Sequence, residues 1–189
     1  MIEPFSIENT RFEPVKLVHA FVATDERGAF VKDYSEKQLA ALGLEHPLKE
    51  VFYTYSYKGV VRAIHFQLVK TQPKLVRVVK GAVYDVAVDL RKVSPTFGQW
   101  QGFELTEENH NELYIPAGFG HGYLVLEDSI VSYKCSEDFY GEYDSGIRWD
   151  DPDVAVDWPL ERVDNQVILS EKDKNLMSLR EFREKYEGM

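Results

Sequence analysis

Short runs of β-branched and aromatic residues, separated by turn residues, dominate the hydrophobic pattern of this chain. They read VFYTYSY (51–57), KLVRVVKG (74–81), AVYDVAVDLR (82–91), NELYIPAGFGHGYLVL (111–126) and SIVSYKC (129–135). Runs of this length and spacing predict antiparallel strands of a sandwich or barrel rather than alternating βαβ units. The pattern therefore indicates an all-β fold.

Two segments carry helical signals instead. In SEKQLAALG (35–43), Ser35 and Gln38 form a potential capping box and Gly43 a stop. In SLREFREKYEG (178–188), Ser178 and Glu181 form a second capping box ahead of apolar residues at helical spacing. Without repeats or linkers, residues 1–189 are expected to form a single β domain with a short inserted helix and a C-terminal helix.

The stretch GVVRAIHFQ (59–67) sets a histidine and an arginine in an otherwise apolar strand. Alternation in a regular strand would place His65 and Arg62 on opposite faces, because they are three residues apart. If both serve one site, the strand is irregular between them. A bulge or a strand end near Ala63 is therefore predicted.

Composition and charge narrow the possible partners. The formal charge is −10, from 32 acidic and 22 basic side chains. That balance disfavours nucleic acid and anionic membranes, although a local cluster of Arg and Lys would still bind an anionic small molecule. The N-terminus lacks a signal-like pattern and the single cysteine, Cys135, allows no internal disulfide, so a cytoplasmic protein is expected.

Several residues are candidates for acid–base chemistry. His65 has an ordinary pKa of about 6.5, which suits a base near neutral pH, and Tyr133 would suit a general acid. The alternative for each is a structural role, and Cys135 is more often a small buried hydrophobe than a nucleophile. His65 and His121 also resemble halves of a cupin metal site, but the pattern lacks ligands, so no metal is expected.

The ordered set of motifs is more specific than any single one. GVVRAIHFQ, KLVRVVKGAVYDVAVDLRKVSPTFGQW, IPAGFGHGYLVL, YKC, GIRWDDPDVAVDWP and LSEKD together resemble the dTDP-4-dehydrorhamnose 3,5-epimerase family, over residues 18–175. This resemblance implies a metal-free cupin jelly roll, a homodimer, and a nucleotide-linked 4-keto-6-deoxyhexose as substrate. It implies no cofactor, because the ketone of the substrate accepts the electrons of the broken C–H bond.

The resemblance also implies roles for five residues. His65 corresponds to the general base and Asp173 to the carboxylate that orients it. Tyr133 corresponds to the general acid, Lys74 to the cation beside the enolate oxygen, and His121 to a residue near the sugar. A base and an acid on opposite faces of a carbon invert it, and a cation stabilises the developing oxyanion.

The nucleotide end of the substrate has its own correspondences. Arg27 and Arg62 correspond to the arginines around the diphosphate, which arginine forks fit well, and Lys172, next to Asp173 in sequence, is expected to add to the same positive cluster. Phe139 corresponds to the aromatic ring that stacks on the base. In this family an N-terminal segment crosses to the partner subunit, so the resemblance leaves open which of the two sites Arg27 serves.

Four positions at the binding end depart from the family pattern. Lys32 replaces a glutamate, Glu50 and Phe52 replace a glutamine and an asparagine, and Asp144 replaces a glutamate. Glu50 would accept hydrogen bonds from a different base, such as guanine or cytosine. The spacing from HFQ to KLV is also one residue shorter, which affects the position of Lys74.

Three alternatives stay open at this level. A relative could invert only carbon 3 or only carbon 5, or use a CDP- or GDP-linked sugar. A catalytically silent sugar-nucleotide binder is disfavoured by the presence of His65, Tyr133 and Asp173 together. A metal-dependent cupin oxygenase is disfavoured by the incomplete metal motif.

Overall fold

The computed structural model describes residues 1–189, which form three antiparallel sheets and three short helices. The strands are β1 (Ile2–Glu3), β2 (Ser6–Asn9), β3 (Lys16–His19), β4 (Phe21–Asp25), β5 (Gly28–Lys32), β6 (Glu50–Ser56), β7 (Val61–Gln67), β8 (Lys74–Lys80), β9 (Ala82–Asp89), β10 (Trp100–Thr106), β11 (Asn111–Ile115), β12 (Phe119–Val125), β13 (Ser129–Cys135) and β14 (Asp144–Gly146). The helices are α1 (Glu36–Ala41), α2 (Glu171–Lys174) and α3 (Leu179–Tyr186), with a 3-10 turn at Leu160–Val163.

Two large sheets face each other as a sandwich. One has five strands in the order β10-β9-β12-β7-β14, and the other has six in the order β2-β3-β11-β8-β13-β6. Alternate residues of both sheets, among them Val76, Val83, Tyr123 and Val131, form one buried cluster between them. The predicted all-β jelly-roll sandwich is confirmed.

The outer faces of the sandwich are covered by the two ends of the chain. The C-terminal segment packs Trp158 and Phe182 against the outward residues of β7 and β9. Leu39 of α1 and Phe5 cover part of the six-stranded sheet. β1, β4 and β5 form a separate three-stranded sheet.

The two predicted helices exist, but only one of the two capping boxes does. Glu181 Oε2 accepts the Ser178 backbone N–H at 2.7 Å, and Ser178 Oγ accepts the Glu181 N–H at 3.1 Å, so the box at α3 is confirmed. The box at α1 is wrong, because the Ser35 side chain makes no capping hydrogen bond. None of the helices is long and apolar enough to cross a membrane.

Candidate active site

A cleft of about 320 Å³ opens at one end of the sandwich interior, between the two large sheets. Most of the residues predicted for the site line this cleft, whichever end of the chain they come from. They are Arg62, His65, Lys74, His121, Tyr133, Phe139, Asp144, Lys172 and Asp173. The fold therefore collects on one surface side chains that are more than a hundred positions apart in sequence.

An irregularity in β7 lets Arg62 and His65 face the cleft together. β12 pairs His121 with His65 and Tyr123 with Arg62. Two residues of β7 lie between these pairs, opposite one residue of β12, so β7 contains an extra residue here. Ala63 and Ile64 both pack outward, in the cluster under the C-terminal segment. The predicted bulge near Ala63 is confirmed.

Glycine is required on β12 directly opposite this bulge. A Cβ atom at Gly122 would lie 2.5 Å from the Cβ of Ala63 and 2.7 Å from its Cα. Because both of these neighbouring atoms belong to the backbone or sit directly on it, no side-chain rotation would relieve the clash. The bulge, which fits only because residue 122 is glycine, thus lets the His65 side chain point into the cleft.

The imidazole of His65 contacts a carboxylate. Nε2 of His65 lies 2.7 Å from Oδ1 of Asp173, whose side chain is 6% exposed. Asp173 is held by Ser170, which caps α2: the Ser170 hydroxyl donates to Oδ2 at 2.8 Å, and its oxygen accepts the Asp173 N–H at 3.0 Å. Burial alone would raise the pKa of Asp173, but the contacts with His65 and Ser170 outweigh it and lower that pKa, which keeps the carboxylate ionised.

Tyr133 comes from the opposite sheet, on β13. Its ring stacks on Phe52 of β6 with centroids 4.6 Å apart, and its hydroxyl donates to the Tyr123 hydroxyl at 3.0 Å. Burial first, and then the neighbouring Tyr123, raise the pKa of Tyr133 well above its ordinary value. The phenol is therefore protonated at neutral pH.

A second histidine–carboxylate pair lies deeper in the cleft. Nε2 of His121 is 2.9 Å from both carboxylate oxygens of Asp85, which is fully buried on β9. Burial raises the pKa of Asp85, and His121 and Lys74 partly offset that effect. Burial also lowers the pKa of Lys74, although the neighbouring Cys135, Asp144 and Asp85 act in the opposite direction.

The far end of the cleft is organised by Glu50. Its Oε2 accepts the Phe139 backbone N–H at 2.8 Å and a longer contact from the Gln72 amide at 3.4 Å. Glu50 thus lies behind the cleft wall and fixes the segment that carries the exposed Phe139 ring. Nearby, Lys172 forms an ion pair with Asp144.

Two of the predicted substrate-binding residues lie away from the cleft of their own chain. Arg27 sits at the turn between β4 and β5, where its guanidinium contacts Asp25 at 2.5 Å. Lys32, at the end of β5, lies over the Phe21 ring, with Nζ 5.2 Å from the ring centroid. Neither residue lines the cleft.

Sequence reasoning missed several residues of this site, among them Asp85, Tyr123 and Ser170. Asp85 gave one usable signal, because a lone carboxylate at an inward position of an apolar strand must find a partner. Tyr123 lies two residues after His121 in the same strand, so alternation places both side chains on the inward face, and this too could be predicted from the sequence. Ser170 stands three residues before Asp173, the spacing of a helix cap.

No group of three or more His, Cys, Asp or Glu side chains is arranged to hold a metal ion.

Cys135 is buried at the cleft end of β13. Burial raises its pKa to about 11, although Lys74 acts in the opposite direction. The thiol is therefore almost wholly protonated at neutral pH.

Fold and cleft together define a class of protein, a cupin-type β-sandwich with acid–base side chains in its interior. A family profile described as dTDP-4-dehydrorhamnose 3,5-epimerase matches residues 9–181. The chain belongs to the dTDP-4-dehydrorhamnose 3,5-epimerase family, whose members are isomerases of sugar nucleotides.

Curated relatives carry that same name. The protein from Methanothermobacter thermautotrophicus is 49% identical over 178 residues, which cover 94% of this chain and 96% of the relative. The protein from Escherichia coli is 39% identical over 181 residues, with coverages of 94% and 96%.

Solved structures agree with the sequence comparison. The epimerase from Legionella pneumophila, in complex with dTDP-4-keto-L-rhamnose, has a TM-score of 0.88 at 39% identity and 94% coverage of both chains. The Bacillus anthracis enzyme, with TDP and PPi bound, has a TM-score of 0.86 at 41% identity, covering 93% of this chain and 100% of that one. ChmJ from Streptomyces bikiniensis, described as a 3'-monoepimerase in complex with dTDP-quinovose, has a TM-score of 0.85 at 28% identity, with coverages of 93% and 89%.

Proposed function

We propose that this chain inverts carbons 3 and 5 of a nucleotide-diphosphate 4-keto-6-deoxyhexose, with dTDP-4-dehydro-6-deoxyglucose as the substrate and dTDP-4-dehydrorhamnose as the product. The single observation that carries this proposal is the opposition of two groups across one cleft. The His65–Asp173 pair belongs to the five-stranded side, and Tyr133 to the six-stranded side.

His65 acts as the base. It takes the proton from the carbon beside the ketone, and the electrons of the broken C–H bond move onto the ketone oxygen to give an enolate. Asp173, 2.7 Å from Nε2, orients the ring and stabilises the imidazolium that forms. Lys74 lines the same cleft and stabilises the enolate oxygen as its charge develops.

Tyr133 acts as the acid on the other face. Its phenol gives a proton to the carbanionic carbon, the enolate collapses to the ketone, and the carbon is inverted. The protonated state of the buried phenol supports this role. His121 lines the same cavity with Asp85 behind it, lies beside the sugar and holds the hydroxyls of the ring by hydrogen bonds.

The nucleotide occupies the outer end of the cleft. Arg62 and Lys172 receive the diphosphate, and the Phe139 ring, exposed on a segment that Glu50 fixes, stacks on the base. Because Glu50 Oε2 already accepts the Phe139 N–H, that oxygen is committed to holding the segment. The departure at Glu50 is therefore compatible with thymine.

The protein works as a homodimer in which Arg27 completes the site of the partner. Support comes from the hairpin that carries Arg27: it projects Phe30 into solvent, and the guanidinium contacts only the neighbouring Asp25. Lys32 lies on the same hairpin and would reach the same neighbouring site. In this arrangement residues 1–189 form one domain whose N-terminal segment packs on the second subunit.

Mixed subunits test the shared site. Arg27→Ala and His65→Ala are each expected to give an inactive homodimer. A dimer with one subunit of each kind is expected to regain one working site, because the intact Arg27 and His65 then meet across the interface. Two inactive parents with an inactive mixed dimer would mean that Arg27 serves its own chain, and a monomer in solution would contradict the arrangement altogether.

Incubation in deuterated water tests the activity itself. The dTDP-, CDP- and GDP-linked 4-keto-6-deoxyhexoses are offered separately, and deuterium is located by NMR. Deuterium at carbons 3 and 5 of the dTDP sugar is the expected result. Deuterium at carbon 3 alone would favour the single-centre reaction, the second candidate, which the fold shared with the 3'-monoepimerase ChmJ supports. No deuterium in any sugar, beside an active control enzyme, would refute catalysis.

A further inference from the structure

A chain of hydroxyl groups runs from Tyr133 across the sandwich. The Tyr133 hydroxyl donates to the Tyr123 oxygen at 3.0 Å, and the Tyr123 hydroxyl lies 3.0 Å from Oγ1 of Thr54. Tyr133 and Thr54 belong to neighbouring strands of the six-stranded sheet, whereas Tyr123 reaches over from β12 of the other sheet. The three oxygens therefore form one continuous hydrogen-bonded path.

The inner part of this path is closed to water and its outer end is not. Tyr123 is 1% exposed and Tyr133 is 7% exposed, with the ring of Phe52 stacked on Tyr133. Thr54 is half-buried on β6, the edge strand of the six-stranded sheet, so that its hydroxyl lies nearer to solvent than the two phenols. Beside it, Ser56 Oγ accepts the Arg62 Nε–H at 3.1 Å, which adds a positive charge to the outer end.

We propose that Tyr123 and Thr54 form a proton relay that reprotonates Tyr133 each time it has protonated the sugar. The inference rests on the proposed role of Tyr133 as the acid. In the proposed reaction, inversion of two carbons takes two protons from one phenol while the sugar lies against it. A tyrosine that must be reprotonated between the two steps, on a face that the sugar covers, needs protons from the neighbouring strand edge.

The relay balances in protons and electrons. The O–H bond of Tyr133 breaks as the new C–H bond forms, and the oxygen keeps the electron pair as a phenolate. Tyr123 turns its hydroxyl and gives its proton to that phenolate, and Thr54 gives its proton to Tyr123. Water at the outer end restores Thr54, so that one solvent proton replaces the one transferred to the sugar.

Tyr123 also stabilises the phenolate while it forms. Burial raises the pKa of Tyr123, and the hydroxyls of Thr54 and Tyr133 oppose that effect. A phenol is free to rotate its proton toward whichever neighbour needs it, so the hydrogen bond that Tyr123 accepts at rest becomes one that it donates to the phenolate. Hydrogen bonds to ionised groups are stronger than those between neutral groups. Tyr123 is thus a positioning residue that acts through Tyr133.

The test separates inversion from exchange in deuterated water. Exchange without inversion needs only His65 and its solvent deuterium, whereas inversion needs Tyr133. Tyr123→Phe keeps the ring and removes the hydroxyl; it is expected to slow inversion about 10- to 100-fold and to leave exchange within about threefold of wild type. In the Tyr133→Phe background, Tyr123→Phe is expected to have no further effect on either rate. The matched control, Tyr114→Phe, removes a hydroxyl from a half-buried tyrosine on β11 outside the cleft and is expected to change neither rate.

Substitutions at Thr54 test the relay independently, without changing an aromatic residue. Thr54→Val keeps the branched shape and loses the hydroxyl, so inversion is expected to slow, whereas Thr54→Ser keeps the hydroxyl and is expected to retain wild-type inversion. This pair decides the question if Tyr123→Phe does not fold.

Unchanged inversion in both Tyr123→Phe and Thr54→Val would overturn the relay and leave the proposed function standing, provided that Tyr133→Phe is still defective. Equal losses of exchange and inversion in Tyr123→Phe would also overturn it, because they would indicate a structural role. A wild-type enzyme with no exchange at all would instead refute the proposed function.

Discussion

Replacement of Asp173 by asparagine removes the negative charge beside His65 and keeps the size of the side chain. Asp173 is nearly buried, and its Oδ1 lies 2.7 Å from Nε2 of His65. We expect the loss of this ion pair to cost about as much as the loss of a hydrogen bond to a charged group, about 1.5–3 kcal/mol, which corresponds to a factor of about 10–150 in rate. Since the His65 side chain is 27% exposed, water takes over part of the role of the carboxylate, and we expect the lower half of that range.

The assay follows deuterium exchange and inversion together. Both rates are expected to fall by the same factor in Asp173→Asn, because in the proposed mechanism proton abstraction by His65 precedes both. Ser170→Ala is the graded control: it removes the hydrogen bond that holds Oδ2 and leaves the charge, so a loss of less than about tenfold is expected. Exchange within twofold of wild type in Asp173→Asn would refute the role of the carboxylate.

Three further predictions concern Lys74, Glu112 and Cys135. Lys74→Met is expected to reduce kcat about 10²- to 10³-fold with a smaller change in KM, because it removes the cation that we propose stabilises the enolate; a change confined to KM would contradict that role. Burial raises the pKa of Glu112 from 4.5 to about 8, despite the opposing effect of Lys134, so the folded state holds a proton that the unfolded state has lost between these two pH values. Stability is thus expected to fall as pH rises from about 4.5 to about 8, by up to about 5 kcal/mol, and Glu112→Gln is expected to flatten that slope in urea melts; a parallel slope would count against it. Cys135, with its pKa raised to about 11, is expected to resist iodoacetamide at pH 8 until urea is added, and fast labelling of the folded protein would contradict its burial.

The strands β6–β9 and β11–β13 and the two longer helices could be predicted because their signals are local. Alternation placed Val131, Tyr133 and Cys135 on one buried face, where they lie. The Ser35 capping box failed although the residue types were right, because a helix can begin at a serine whose side chain makes no capping bond. Local sequence predicts where a helix begins, and the surrounding contacts determine whether the first residue caps it with a side-chain hydrogen bond.

The irregularity in β7 could be predicted for a different reason. Two polar residues three positions apart, both required at one site, are incompatible with a regular strand. What the sequence did not reveal is how the conflict is resolved, with Ala63 and Ile64 both packed under the C-terminal segment. That detail depends on Gly122 of another strand, whose register is set by the whole sheet.

The remaining parts of the site depend on contacts over long sequence distances. Asp173 lies in a charged segment typical of a solvated turn, and only the family resemblance connected it with His65. In the structure that segment is the short helix α2, capped by Ser170. Local patterns place Asp85 and Tyr123 on the inward face, but their partners come from other strands: His121 on the neighbouring strand β12 for Asp85, and Tyr133 on the facing sheet for Tyr123.

The most direct test of the account compares His65→Ala with Tyr133→Phe, each with the dTDP-linked 4-keto-6-deoxyhexose in deuterated water. A base on one face and an acid on the other predict that His65→Ala loses both exchange and inversion. Tyr133→Phe is predicted to keep exchange and to lose inversion by about 10²- to 10⁴-fold. Exchange that persists in His65→Ala, or that disappears in Tyr133→Phe together with inversion, would contradict the division of roles between the two walls of the cleft.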